Sequence, residues 1–458
     1  RRPLARAHST SAGASPHGPL APRAFIDTEV QCLAECAMNN VSLPRLLHGS
    51  RGTPLGLDEH DATFGRASAT ANLLEVLEAS GLTGRGGAAF PTSAKVRLLL
   101  RQRSHHKAVV VNAMEGEPAS RKDTSLLSAN PHLVLDGAVA LASTIGAHEI
   151  IVCIPATNRR ALQLIRYALE ERTRHHRGGP PIDIVSPPAR YITGEESALT
   201  HWLSERVAEP LYRPHRPFIP RVRNRPALVD NVETCAHVGL IARYGAHWFR
   251  AVGTSESPGS TLVTLSGAFE GPVVLETALG TPLRELIATA RPTEEIQAIL
   301  LGGYGGTWLD ASLLDSPLAN ESLRIVGASV GAGVIVALGE GGCGLQETAR
   351  VVTWMAGESA RQCGPCAFGL PALAHDLATL VSGQREATTA LNRLLERCGV
   401  IDGRGACRHP DGVVRLVRSA LSTFREDALA HARGHACPAS QLDRRYARIP
   451  GALTVGAR

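Results

Sequence analysis

Ala108-Val-Val-Val111, a helical stretch near Leu133–Ile145 and then Glu149-Ile-Ile-Val-Cys-Ile154 decide the fold of this 458-residue chain. Both apolar runs are short and nearly unbroken, the pattern of a strand covered on its two faces. A second helical stretch near Arg159–Arg172 leads to a further run, Ile182-Asp-Ile-Val185. Strands alternating with helices of this length specify a parallel α/β sheet. Upstream, a helical pattern from Ala69 to Ser80 enters the glycine-rich segment Gly84-Arg-Gly-Gly-Ala-Ala-Phe-Pro-Thr-Ser-Ala-Lys95. The α/β domain is expected over residues 26–245.

Beyond Ser255 the texture changes. Two extended runs, Thr261–Ser266 and Val273–Glu276, precede Leu279-Gly-Thr-Pro-Leu-Arg-Glu-Leu-Ile287, where a proline starts a helix. That is a small α+β module, expected over residues 246–340. From Leu345 to Ala432 nearly everything has helical period, interrupted by Cys363-Gly-Pro-Cys366 and by Gly399–Gly405. This predicts a helical bundle over residues 341–435. Residues 1–25 are acid-poor and rich in Arg, Ser, Pro and Gly, which reads as a disordered tail or a transit peptide, and residues 436–458 read as a second tail.

Composition removes several classes of function. With 44% hydrophobic and 20% charged residues the chain can bury large cores. No apolar run reaches the roughly 18 to 20 residues needed to span a bilayer, so no direct membrane insertion is expected. The net charge of +6 comes from arginines scattered over the whole length, only Lys95, Lys107 and Lys122 being lysine. No basic block is interleaved with aromatics, so nucleic acid is not an expected partner. Ten cysteines are too sparse for a disulfide scaffold and point to a reducing, cytoplasmic compartment.

Four segments carry the chemistry. Gly84–Ala89 has a G-x-G-x-x-A spacing, yet a helix and not a strand precedes it, so the dinucleotide fingerprint is weak. Its small residues still leave successive N–H groups bare, a nest that can approach a phosphate or an isoalloxazine edge, and Lys95 adds a positive charge. The second segment, Val111-Asn-Ala-Met-Glu-Gly-Glu-Pro-Ala-Ser-Arg-Lys-Asp123, follows a strand, at the end of a parallel sheet where ligands bind. Asn112, Glu115 and Glu117 offer donors and acceptors there; a solvated acidic turn is the plain alternative. Tyr191-Ile-Thr-Gly-Glu-Glu-Ser-Ala-Leu199 and Val229-Asp-Asn-Val-Glu-Thr234 place further acids at helix starts, where the dipole alone favours them.

In this order and at these intervals the four segments resemble the flavoprotein subunit of respiratory NADH dehydrogenase and the homologous subunits of soluble hydrogenases and formate dehydrogenases. The resemblance covers roughly residues 70 to 435. It implies a parallel-sheet FMN-binding domain, a β-grasp module and a helical iron–sulfur bundle. It places Gly84, Arg85, Gly86, Gly87, Ala88 and Lys95 along the flavin phosphate and ring, and Asn112 and Glu115 on the ribityl chain and isoalloxazine. Phe90, Glu117, Gly194, Glu195 and Glu196 serve FMN or the nicotinamide of NADH, and Asn231 and Thr234 complete the phosphate end. Hydride transfer belongs to the flavin, so no acid–base residue is expected. The family has an Asp, and often a second Asn, where this chain has Met114 and Asp230, and Gly at Ala89 and Ala119.

The same resemblance implies a [4Fe–4S] cluster on C-x2-C-x2-C plus one later cysteine. Cys363, Cys366 and Cys407 match, but the first position is Ala360. Cys343, Cys398 or Cys437 is a candidate substitute, and a thiol pair at Cys363 and Cys366 is the alternative. Cys32 and Cys36 read as core or surface residues. The implied activity is FMN-dependent oxidation of NADH with electrons passed to an iron–sulfur, ferredoxin-like or [2Fe–2S] protein. The competing reading is a degenerate assembly or redox-sensor protein without a complete electron path.

Overall fold

The computed structural model describes residues 43–49, 52–67, 72–104, 106–212 and 219–435. The tails expected at 1–25 and 436–458, with Cys32, Cys36 and Cys437, lie outside them. The chain enters through α1 (Leu57–Phe64) and α2 (Leu73–Ser80), and Gly81 at φ +71° ends α2 in the left-handed conformation that spares glycine a Cβ clash. The glycine-rich loop follows, then α3 (Thr92–Leu100), β1 (Lys107–Asn112), α4 (Lys122–Ala129), α5 (Pro131–Ile145) and β2 (Ala147–Cys153). The series continues with α6 (Arg159–Arg174), β3 (Ile182–Val185), α7 (Glu196–Glu205), β4 (Arg221–Val222), β5 (Arg225–Asn231) and α8 (Val232–Arg250).

The first sheet has the order β3-β2-β1-β5-β4. Strand β1 runs parallel to β2 on one side and to β5 on the other, while the short β4 is antiparallel to β5. Chain winding therefore reverses between β1 and β5, and the connections leaving their carboxyl ends diverge into a crevice. Asn112 and Asn231, the last residues of these strands, are register partners at its lip. Val109, Val110 and Val111 are fully buried, each side chain contributing about 1.5 to 3 kcal/mol of apolar burial. Helices α5 and α8 cover one face at backbone contact: a Cβ on Gly137 would lie 1.7 Å from the Cys235 carbonyl oxygen.

The second sheet comprises β6 (Ser260–Gly267), β7 (Val273–Ala278), β8 (Ile296–Leu301), β9 (Thr307–Asp310) and β10 (Val334–Gly339), with α9 (Leu283–Thr289) and α10 (Asn320–Ile325). Its order is β7-β6-β10-β8-β9. The first and last strands are parallel neighbours at the centre and every other pairing is antiparallel, which is the β-grasp arrangement. The two extended runs and the proline-led helix expected here are β6, β7 and α9; the other elements go beyond that expectation.

Five helices close the described chain: α11 (Gly344–Glu358), α12 (Leu370–Ser382), α13 (Ala387–Ile401), α14 (His409–Thr423) and α15 (Arg425–Ala432). A π-helical turn at Pro365–Gly369 leads into α12. Their apolar faces share one core with Tyr304 and Trp308 of the second sheet, so bundle and β-grasp are packed together. Among the described residues no helix is long and apolar enough to cross a membrane.

Candidate functional site

The crevice at the ends of β1 and β5 is built by four chain segments. Asn112 donates from Nδ2 to the Gly194 carbonyl at 2.9 Å, fixing the 3-10 turn Tyr191–Gly194. Asn231 caps α8, its Oδ1 accepting from the Glu233 N–H at 2.9 Å, while its Nδ2 donates to Asp123 at 2.6 Å. The glycine loop lies against this cap: the Arg85 N–H donates to Thr234 Oγ1 at 2.9 Å, and a Cβ on Gly86 would stand 3.4 Å from the Asn231 Cβ. Gly87 at φ +105° and Ala89 at φ +48° hold the tight backbone. Phe90, beside the loop, is 40% exposed.

Charge is concentrated in two groups, a part-exposed one around Lys95 and a buried one around Lys122. Lys95 reaches the Val229 carbonyl at 2.7 Å, Glu196 at 3.1 Å and Asp230 at 3.4 Å. Burial works against its ammonium, and the carboxylates of Asp230 and Glu196 outweigh that and raise its pKa. Lys122 reaches Asp123 at 2.8 Å and Glu233 at 2.9 Å, and Arg85 lies 3.8 Å from Glu233. Burial pushes Asp123 up to about 6 despite Lys122, whereas Lys122, His237 and Arg85 overcome the burial of Glu233 and hold it at about 2.

Several of the expected site residues spend their side chains on structure. The Arg85 guanidinium turns into the seam with the second sheet, donating to the carbonyls of Ser260 and Pro258. Glu115, at φ +40°, accepts from the N–H groups of Asp123 and Thr124 and so caps α4. Glu195 caps α7 through Ser197 and Ala198. Met114 packs with Val110, Ile151 and Leu199 on a core face of the sheet. Glu117 accepts from the Tyr304 N–H at 3.0 Å, and burial raises its pKa to about 7. Its carboxylate leaves Gly303 no room for a side chain, since a Cβ there would lie 2.5 Å from Oε2. A narrow cleft opens beside the loop, between Gly84, Ala89 and Lys122 on one side and Thr261 of β6 with Val330 and Gly331 ahead of β10 on the other.

The residues fit FMN on two counts: an open loop of small residues against Asn231, and buried polar atoms waiting for partners. The Asp230 Oδ2 and the Thr193 Oγ1 are both buried without a hydrogen-bond partner among the described residues. Both residues stand inside the four sequence segments, where nothing local marks either as a cofactor contact. Lys122 and Glu233 carry no local signal of their pairing, because it bridges 111 positions.

The cysteines lie just beyond the floor of this crevice. The Tyr191 N–H donates to Glu358 at 2.8 Å and Arg190 donates to the Ser359 carbonyl at 3.2 Å, tying the Tyr191–Gly194 turn to the end of α11. The Tyr191 ring meets Trp354 at 5.5 Å and His409 at 5.6 Å. Cys363 stands just before the π-helical turn that leads into α12, Cys366 lies within it, and Cys407 precedes α14. Burial and the neighbouring Cys363 thiol push Cys366 up, and burial, with Glu195 and Cys363 also near, lifts Cys407 to about 11. The three thiols therefore share one neighbourhood, although among the described residues no three His, Cys, Asp or Glu side chains close into a metal-holding set. Of the candidate substitutes for the missing ligand, Cys343 sits 3.6 Å from His431, and Cys398 is buried with Arg418 and Asp402 near it. Cys437 lies outside the described residues.

Family models match both halves of this arrangement. The Nuo51 FMN-binding domain matches residues 77–240, and the NADH-ubiquinone oxidoreductase-F iron-sulfur binding region matches residues 346–431. The F component of the NADH-quinone oxidoreductase of Streptomyces coelicolor is 31% identical over 384 residues, 81% of this chain and 85% of the relative. The chain belongs to the family of NADH-quinone oxidoreductase F components. A second such relative, from Rhizobium meliloti, is 30% identical over 80% of this chain and 90% of its own length. Among solved structures, an NAD+-reducing [NiFe]-hydrogenase in its H2-reduced state superposes with a TM-score of 0.73 at 29% identity. That likeness covers 78% of this chain and 62% of the hydrogenase chain, so this protein spans about three-fifths of that relative.

Proposed function

We propose that this chain oxidises NADH at a bound FMN and passes the electrons to an iron–sulfur centre on Cys363, Cys366 and Cys407, and from there to a ferredoxin-like or [2Fe–2S] protein. FMN, when bound, supplies the exchange between a two-electron hydride donor and one-electron acceptors. The Gly84–Ala88 loop offers bare N–H groups and close backbone approach, Asn112 and Gly194 form the floor, and Asn231 and Thr234 hold the loop against α8. Phe90 presents an exposed ring at the mouth for the nicotinamide to stack on. Glu196 and Glu195 keep negative charge on that side, which suits an unphosphorylated ribose and repels a 2′-phosphate. Residues 26–245, 246–340 and 341–435 are read as the cofactor, β-grasp and iron–sulfur units, and the sparse cysteines favour the cytoplasm.

The observation that carries this reading is the Tyr191–Gly194 turn. One end is bonded to Asn112 in the crevice and the other to Glu358 and Ser359, the residues leading to the cysteines. A cofactor resting on that turn and a cluster on those thiols are held by one rigid segment. Replacing Gly86 by Val tests the cofactor half, because its methyl groups must enter the space beside Asn231. The variant is expected to remain folded and to lose FMN after reconstitution and dialysis; full flavin occupancy would place the cofactor elsewhere. The sensor reading rests on Ala360, and iron content after anaerobic reconstitution separates the two.

A further inference from the structure

We infer that the carboxylate of Asp230 holds a bound flavin at a lower reduction potential than an amide in its place would: its free oxygen takes a hydrogen bond from the cofactor and brings a negative charge beside it. This rests on the FMN reading above and adds a residue and a property to it. Asp230 is the penultimate residue of β5, at the point where the winding of the sheet reverses, and its side chain is 2% exposed. Oδ1 lies 3.4 Å from the Lys95 ammonium; Oδ2 is buried and has no hydrogen-bond partner among the described residues. Leaving such an oxygen unpaired is costly, more so for a charged group, unless a ligand completes it.

The surroundings say which side the ligand comes from. Lys95 and Glu196, which share the ion cluster with Asp230, keep 24% and 31% of their side chains exposed, so the group borders open space and not core. A carboxylate oxygen can only accept, so the cofactor atom must be a donor. FMN offers the ring N3–H and the ribityl hydroxyls. Its phosphate is an acceptor and an anion, and must lie away from Asp230.

Charge bookkeeping gives the second half of the inference. Lys95 carries one positive charge against the two negative charges of Asp230 and Glu196. The neighbouring group of Lys122 and Arg85 with Asp123 and Glu233 sums to zero. These two ion clusters together leave one negative charge over, before Glu195 is counted, beside a cofactor that gains negative charge when it accepts hydride. Two like charges about 6 Å apart at an effective dielectric near 20 repel by enough to shift an equilibrium tenfold or more.

Two variants test this with purified, FMN-reconstituted protein, read by flavin binding and by potentiometric titration followed at the flavin absorbance. Asp230→Asn keeps an acceptor and removes the charge. FMN affinity should stay within about threefold of wild type, while the equilibrium for flavin reduction rises about tenfold, a positive shift of about 30 mV for a two-electron couple. Asp230→Ala removes the acceptor as well, and FMN should bind about tenfold more weakly. An unchanged midpoint in Asp230→Asn, or full FMN affinity in Asp230→Ala, would overturn the inference and leave the FMN assignment standing. A wild-type chain that takes up no FMN would overturn both.

Discussion

Replacing Glu233 by Gln should destabilise the protein by about 3 kcal/mol at neutral pH, an effect that shrinks in acid. Glu233 is fully buried at the start of α8. It accepts from Lys122 at 2.9 Å, from the Leu262 N–H at 2.9 Å and from Thr261 Oγ1 at 3.0 Å, so it joins the first sheet's helix to β6 of the second. Burial would raise its pKa; Lys122, His237 and Arg85 reverse this and hold it at about 2 against an ordinary 4.5. At about 1.4 kcal/mol per pKa unit, this difference corresponds to about 3 kcal/mol. A folded-state pKa below the unfolded one means that this stability is present above pH 4.5 and is lost as the pH falls towards 2. Asp123 has the opposite sign, because its folded pKa of about 6 lies above the ordinary value and its protonation favours the folded state. Urea unfolding of wild type and Glu233→Gln at pH 7 and pH 3 measures the gap directly. It should be about 3 kcal/mol at pH 7 and roughly half that at pH 3. A gap below about 1 kcal/mol at pH 7, or one that widens in acid, would refute the argument.

Ala360→Cys supplies the fourth family ligand and should slow iron loss in air, with flavin content unchanged; Cys407→Ser should lower the iron content sharply. Colorimetric iron after timed exposure to air reads both, and equal iron in all three proteins would make this region a structural bundle. Gly137→Ala places a methyl group 1.7 Å from the Cys235 carbonyl oxygen and must force α5 and α8 apart. A loss of about 3 kcal/mol or more in thermal or urea unfolding is expected, and a neutral substitution would mean that the two helices are not in backbone contact.

What the sequence makes legible follows from how local each signal is. Strands β1 and β2 are readable because buried parallel strands are short apolar runs between helices, and β3, at the sheet edge and only half-buried, keeps enough of the same pattern. Strand β5 is not, since Arg225-Pro-Ala-Leu-Val-Asp-Asn231 carries a proline near its start and polar residues at its end. The proline is tolerated where the strand pairs with the two-residue β4, and the polar residues belong to the crevice. Strand β10 is buried along its whole length, yet its pairing with β6 spans some seventy positions and leaves no periodic trace. Within the site, Asn112, Asn231 and the glycine loop are visible as motif residues. The division of labour among the acids is hidden. Glu115 and Glu195 cap helices, as acids at helix starts often do, whereas Asp230 and Glu233 acquire their roles from Lys95 and Lys122 brought in by the fold. Arg85 reads as a phosphate ligand because it sits in the loop, but its guanidinium belongs to the seam between the sheets.

Anaerobic stopped-flow reduction of the FMN-loaded, iron-reconstituted protein tests the central claim most directly. NADH should bleach the flavin absorbance faster than NADPH, and bleaching of the broad iron–sulfur absorbance should follow it. Reduction by neither nucleotide, or flavin bleaching that never reaches the iron–sulfur chromophore, would contradict the proposed path from NADH through the crevice to Cys363, Cys366 and Cys407.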